Sequence, residues 1–137
     1  MIDLQKLFIN YLFSFIGEPY TYGKHDCSWF AQESLAFFGL DPKGDQNAQM
    51  LLENMHIYAK KTPTVGLGHL LFFGTPSRIS HVAIALNDTH MIEAGGGNEH
   101  TKTAEQALIK GHAYVRVRLI SNRNDLVEAL KPNGLPW

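Results

Sequence analysis

The chain has a single cysteine, Cys27, among 137 residues. One thiol cannot form an internal disulfide, nor can it build a multi-cysteine zinc site. Net charge is also scarce: 12 Lys and Arg stand against 13 Asp and Glu, with no basic block. Nothing therefore points to a nucleic-acid partner. The segment Leu7 to Ile16 is largely apolar but reaches only half of the roughly 20 residues that span a bilayer. It lacks a basic start and a small-residue cleavage site, so neither a membrane span nor a signal peptide is expected. No HExxH or comparable ligand spacing occurs, and no metal or other cofactor is expected. Repeats, low-complexity stretches and linkers are missing too, so residues 1–137 read as one domain.

What is present is enough apolar material for a core. Some 45% of the residues are apolar and 18% charged, a globular balance. Leu4, Leu7, Phe8, Tyr11, Leu12 and Phe15 recur at helical spacing, which predicts a helix over Asp3–Phe15, stopped by Gly17 and Pro19. A second helix is expected from Cys27 to Gly39, with Asp26 as N-cap. After a polar loop from Asp41 to Asp45, Asp45 is expected to cap a third helix. That helix carries Ala48, Leu51, Leu52, Met55 and Tyr58 and runs to about Lys60. The pattern then turns to strands: His69–Phe73, His81–Leu86, His90–Ala94 and Tyr114–Ile120. Gly95-Gly96-Gly97 reads as a flexible stop, Ala104–Lys110 as a short helical turn, and Asp125–Leu130 as a last short helix. Helices first and antiparallel strands later make an α+β domain with one sheet.

Cys27 lies where the extended Tyr20-Thr21-Tyr22-Gly23 segment gives way to a helix. The first N–H groups of a helix are unpaired and its dipole is positive there. A sulfur at that position is stabilised as the thiolate, the nucleophilic form. A nucleophile needs a base, and the base needs a group to hold it. Seven histidines compete for the role, and strand geometry favours His81. It shares one face of its strand with Ala83 and Ala85, while the bulkier Val82, Ile84 and Leu86 take the other, core-directed face. The small face leaves room for a docking partner. A three-residue turn at Asn87-Asp88-Thr89 would pair Leu86 with His90. Glu93 would then sit diagonal to His81 on the same face, able to fix its tautomer. A two-residue turn would send Glu93 to the opposite face.

These residues carry a resemblance. Pro19-Tyr20-x-Tyr22-Gly23, Asp26-Cys27-Ser28-x-Phe30, Gly68-x-Leu70-Leu71-Phe72-Phe73, His81-Val82-Ala83-Ile84 and Met91-Ile92-Glu93-Ala94 follow one another as in the NlpC/p60 family of cell-wall cysteine peptidases. The resemblance runs from about Gly17 to Ala94. It implies a papain-like fold, with N-terminal helices packed on a central antiparallel sheet. It implies hydrolysis of peptidoglycan stem peptides, at the bond between γ-D-glutamate and a diamino acid, through an acyl-enzyme on Cys27. His81 would be the general base and Glu93 the third polar member, where the family most often has His. Tyr20 matches a tyrosine near the nucleophile. Tyr20, Asp26, Ser28 and Trp29 would line the substrate side, Trp29 replacing the usual glycine. Gly68-His69-Leu70 replaces the usual Gly-Asp-Leu.

The implied place of action is the cell wall, periplasmic or extracellular. No wall-binding repeat fits beside this domain. Phage-encoded members are similarly bare, which suggests a phage tail or lysis assembly as carrier. Two other readings stay open: another amidase or acyltransferase of the same superfamily, and a non-catalytic wall-binding or assembly protein on the same scaffold.

Overall fold

A computed structural model of the chain describes residues 2–42 and 44–137. Met1 and Lys43, the latter inside the expected Asp41–Asp45 loop, lie outside the described residues. Three helices come first: α1 (Leu4–Phe13), α2 (Cys27–Ala36) and α3 (Ala48–Tyr58). Strands β1 (Ala59–Lys61), β2 (Leu70–Thr75), β3 (Arg78–Ala85) and β4 (His90–Gly95) follow. Helix α4 (Ala104–Lys110), strand β5 (Tyr114–Leu119), a 3-10 turn (Ile120–Asn122) and strand β6 (Leu126–Pro132) complete the order. The six strands form one antiparallel sheet in the order β1-β6-β2-β3-β4-β5. The expected α+β architecture is the one observed.

Each N-cap is a short polar side chain that accepts an otherwise orphaned backbone N–H. Asp3 accepts from Lys6, Asp26 from Trp29 and Asn47 from Met50. The third cap corrects an expectation. Asp45 stands too early, and Asn47 is the residue that turns the chain into α3. That helix also stops at Tyr58, because Ala59–Lys61 leave it to pair as an edge strand with Leu130–Pro132.

The larger correction concerns residues 125–130, expected as a helix. They enter strand β6, which inserts between β1 and β2 and pairs Leu130 with Leu70 and Ala129 with Leu71. Leu126, Val127 and Leu130 fit either period over so short a run. The open edge of β2 decides, since pairing satisfies backbone groups that a six-residue helix would leave exposed.

The main core lies between the helices and one face of the sheet. It includes Phe8, Phe30, Leu51, Leu70, Phe72, Val82, Ile84 and Ile92. Burying each such side chain contributes roughly 1.5–3 kcal/mol before entropy is counted. The opposite face is covered as well. Leu71, Phe73, Ala83, Ala85 and Met91 form a second buried cluster, with Val65, Ile120 and Ala129 packed against it. The face shared by His81, Ala83 and Ala85 is therefore a second core layer, where open docking space was expected. At the far end, Trp137 packs on Phe8 and Phe38, and its indole N–H donates to the Leu67 carbonyl at 2.8 Å.

Candidate active site

Register determines what meets what. Ile84 pairs with Ile92 and Ala85 with Met91, and the Leu86 N–H donates to the His90 carbonyl at 2.9 Å. This is the register of the three-residue turn. Asn87 builds it, its side-chain oxygen accepting from the Thr89 and His90 N–H groups. Pairing between β3 and β4 reaches no further than Ile84 and Ile92. Beyond that point β3 stays on β2, with His81 opposite Phe73, and β4 stays on β5, with Glu93 opposite Arg116. Helix α2, which begins at Cys27, packs on both diverging strands.

Cys27, His81 and Glu93 meet in this region. Glu93 Oε1 lies 3.1 Å from His81 Nε2. With Nε2 held there, Nδ1 is the ring nitrogen available to a second partner, and Cys27 lies close enough to act on the charge of the ring. Glu93 is 1% exposed, and His81 and Cys27 are 8% exposed each, so the pair is shielded from solvent screening. Burial alone would discharge the ring. Hydrogen bonds and charge from Cys27 and Glu93 outweigh it and raise the His81 pKa to about 9. Burial likewise opposes the Glu93 carboxylate. The His81 hydrogen bond, with the charges of His81, Arg116 and Arg118, prevails and lowers its pKa to about 2.

The second carboxylate oxygen is clamped from the neighbouring strand. Arg116 Nε and Nη2 both donate to Glu93 Oε2 at 3.3 Å, and Arg118 Nη1 lies 3.7 Å away. Neither arginine was picked out in the sequence. The signal was the alternation Tyr-Val-Arg-Val-Arg, which puts both on one face. The intervening 96–113 segment hid the register that brings them to Glu93. A second basic group was also missed. Arg123 forms a two-point ion pair with Asp125 at 2.8–2.9 Å and stacks 4.9 Å over the Phe73 ring. Phe73 in turn packs on the His81 ring at 5.7 Å between centroids.

The other expected residues lie on the helix side. Asp26 caps α2 through the Trp29 N–H and also accepts from the Gly23 N–H and the Ser28 hydroxyl. Ser28 is buried against it. Trp29 stacks on His25 at 4.4 Å and packs edge-on to Phe15. It lines a polar cavity of about 520 Å³ with Lys24, Gln32 and Asp45. Tyr20 is buried, and its phenol is pushed well above the ordinary range by burial first and then by the charges of Cys27, Asp26 and Tyr22. His69 is buried and accepts the Gly66 N–H through Nδ1 at 3.0 Å. It holds the loop before β2.

Gly95-Gly96-Gly97, read as a flexible stop, is a packed element. A Cβ on Gly95 would overlap Glu93 Oε2, one on Gly96 the His112 carbonyl, and one on Gly97 the Tyr20 ring. Glycine is required here because the site lies directly on the backbone. Among the described residues, no group of three or more His, Cys, Asp or Glu is placed to hold a metal, and no helix is long and apolar enough to cross a membrane.

Comparison with known proteins follows the same lines. The model of the NlpC/P60 family matches residues 17–118, and no curated protein matches the sequence. The NlpC/p60 domain of the peptidoglycan hydrolase SagA superposes with a TM-score of 0.65 at 20% identity, covering 95% of this chain and 99% of that domain. The P60 domain of an antigen from Mycobacterium avium subspecies paratuberculosis gives 0.67 at 18%, covering 97% and 96%. The peptidoglycan hydrolase RipB from Mycobacterium tuberculosis gives 0.65 at 18%, covering 93% of this chain but only 63% of RipB. Such identities speak for a common fold. With the family match spanning most of its length, the chain belongs to the NlpC/P60 family.

Proposed function

We propose that the protein is a cysteine peptidase that hydrolyses an amide bond in peptidoglycan stem peptides, the bond between γ-D-glutamate and a diamino acid. The observation that carries this reading is the buried line from Cys27 through His81 to Glu93, in which one ring nitrogen is fixed and the other is left to the sulfur. SagA and RipB, which share the fold, are named as peptidoglycan hydrolases.

The chemistry follows from the charge state. The His81 proton is shared with the sulfur, and the thiolate attacks the amide carbonyl, forming the C–S bond. The oxyanion is met by the Cys27 and Ser28 N–H groups. The Asp26 cap takes Trp29, and the first intrahelical bond comes from Phe30, so those two amides are left over. His81 then donates its proton to the leaving nitrogen, and the C–N bond breaks. Neutral His81 next accepts a proton from water as that water attacks the thioester. The C–S bond breaks, the acid product leaves, and the sulfur again shares the proton held by His81. Glu93 holds the ring throughout. Tyr20 walls the site beside the sulfur, and Trp29 shapes the adjoining groove. The proposed place of action is the cell wall, with delivery by a phage tail or lysis assembly.

Digestion of defined muropeptides with mass analysis tests this directly. A cut between γ-D-glutamate and the diamino acid that disappears in Cys27→Ala is the expected result. Turnover near wild-type in that variant, with its fold intact, would refute the role of Cys27. Iodoacetamide labelling at graded pH adds a check that needs no substrate. An inert sulfur would favour a binding protein on the same scaffold.

A further inference from the structure

In the thiolate–imidazolium pair that the peptidase reading calls for, Cys27, His81 and Glu93 together carry one surplus negative charge. A third histidine, the usual family choice, would not. In a site this buried, uncompensated charge is costly, so the question is what balances it. Arg116 is directly opposite Glu93 in the β4–β5 ladder. It spans two acceptors. Nε and Nη2 reach Glu93 Oε2, and Nη1 donates to the His112 carbonyl at 3.2 Å. The backbone is shaped around that bridge: Gly95 leaves the space that Glu93 Oε2 occupies, and Gly96 the space of the His112 carbonyl. Arg118 is the looser partner, at 3.7 Å.

We propose that Arg116 is a positioning residue for the reaction: it fixes the ionised Glu93 carboxylate against the His81 ring and neutralises the extra charge that glutamate brings to the site. This rests on the peptidase reading above, but its physical content concerns the imidazole and can be measured without turnover. The charged groups that act on the ring or its partners are Cys27 from α2, Glu93 from β4, Arg116 and Arg118 from β5, and Arg123 and Asp125 after the 3-10 turn. Among the described arginines, Arg116 is the one that touches Glu93 by hydrogen bonds.

The test compares wild type, Arg116→Gln and Arg116→Lys. Removing the guanidinium takes a cation away from the imidazolium and leaves the carboxylate charge opposed only by the looser Arg118 on that side. Both effects favour the protonated ring. His81, followed by NMR in the resting protein, should titrate higher in Arg116→Gln by about half a unit to one unit. The alkaline limb of kcat/KM should move with it, and kcat/KM should fall about 10–100-fold. Arg116→Lys should return the titration toward wild type but not the full rate, because a point charge cannot bridge two acceptors. In a Glu93→Gln background, Arg116→Gln should cost little further rate. A lowered melting temperature with an unmoved or lowered His81 titration would overturn the proposal, as would full additivity with Glu93→Gln. Should Cys27→Ala keep its activity, the peptidase reading fails, and the NMR titration still decides the role of Arg116.

Discussion

Gly95→Ala adds one methyl group to the backbone, on the strand that ends beside the site. The added Cβ would overlap Glu93 Oε2 and come within 3.4 Å of Arg116 Nη2. The Arg116 side can yield, because that guanidinium is partly exposed. Glu93 cannot: it is 1% exposed and bonded on both oxygens. To restore ordinary contact, the carboxylate or the backbone must retreat by about 1 Å, and overpacking of this kind costs roughly 1–3 kcal/mol. For a chain of this size that lowers the melting temperature by roughly 3–10 °C. The effect on rate should be out of proportion. A displacement of about 1 Å in a reacting constellation lowers rate about 10²-fold, and here it acts on the hydrogen bond that fixes the His81 ring. The assay is kcat/KM on a defined muropeptide beside thermal unfolding of the same sample. Gly111→Ala is the control. An added Cβ there meets nothing within 4 Å, but φ is +86°, so it should cost about 1–2 kcal/mol in backbone strain and keep the wild-type rate. Gly95→Ala with wild-type kcat/KM, or with a rate loss matched by Gly111→Ala, would refute the claim that the glycine run is fitted to the carboxylate.

Two further predictions concern pH. Glu93→Gln keeps a hydrogen-bonding oxygen but removes the charge and leaves Arg116 and Arg118 unopposed. His81 should then titrate well below 9, the alkaline limb of kcat/KM should fall by at least about one unit, and rate should drop about 10²-fold; an unmoved limb contradicts the assignment. In wild type, the raised His81 contributes stability that is full below its ordinary 6.5 and lost as pH rises through about 9. The depressed Glu93 contributes stability present above its ordinary 4.5 and lost as pH falls toward 2. Thermal melts should show that bell in wild type and a flatter curve in Glu93→Gln. His69 works with the opposite sign to His81. Burial, then the charge of Lys131, lowers its pKa below 6.5, so its contribution is present above that pH and lost on acidification. His69→Asn keeps an acceptor for the Gly66 N–H and does not titrate. Its melting temperature should therefore gain on wild type between pH 7 and pH 5, and an unchanged difference would refute the reading.

How much of this could be read from the sequence depended on whether the information was local. The setting of Cys27 was legible, because Asp26 as cap and Cys27 as first helical residue are a matter of neighbours. So was the diagonal between His81 and Glu93, because a three-residue turn propagates its register a few positions along both strands. Non-local pairing was not legible. Strand β6 looked helical because nothing in residues 125–130 reveals that β2 offers them an edge. Asp45 and Asn47 are both good caps, and only the path of the loop chooses between them. Arg116 and Arg118 lie more than 20 residues from Glu93, across a segment whose length says nothing about register. The glycine run was misread for the same reason. Its freedom was visible, but the Glu93, His112 and Tyr20 atoms that fill the missing side chains' space arrive from elsewhere in the chain.

The separation of β3 from β4 connects these points. Past Ile84 and Ile92 the two strands exchange no ladder pairs, yet each is held on its outer side, by β2 and by β5. The sheet is thus opened at one internal seam without gaining a free edge at its border. Side chains take over where the ladder stops. The His81–Glu93 hydrogen bond crosses the seam, and α2 packs on both of its banks. A continuous ladder would have drawn His81 and Glu93 into flat cross-strand positions. Opening the seam lets a thiol at a helix start interact with a ring whose strand otherwise belongs to the opposite layer, between Phe73 and Ala83. The arrangement places an ionised carboxylate deep in the domain. His81 holds one of its oxygens, and β5, still fully paired with β4, delivers Arg116 and Arg118 to the other. Substitutions on β5 should therefore influence the chemistry more than their distance in sequence from Cys27 suggests.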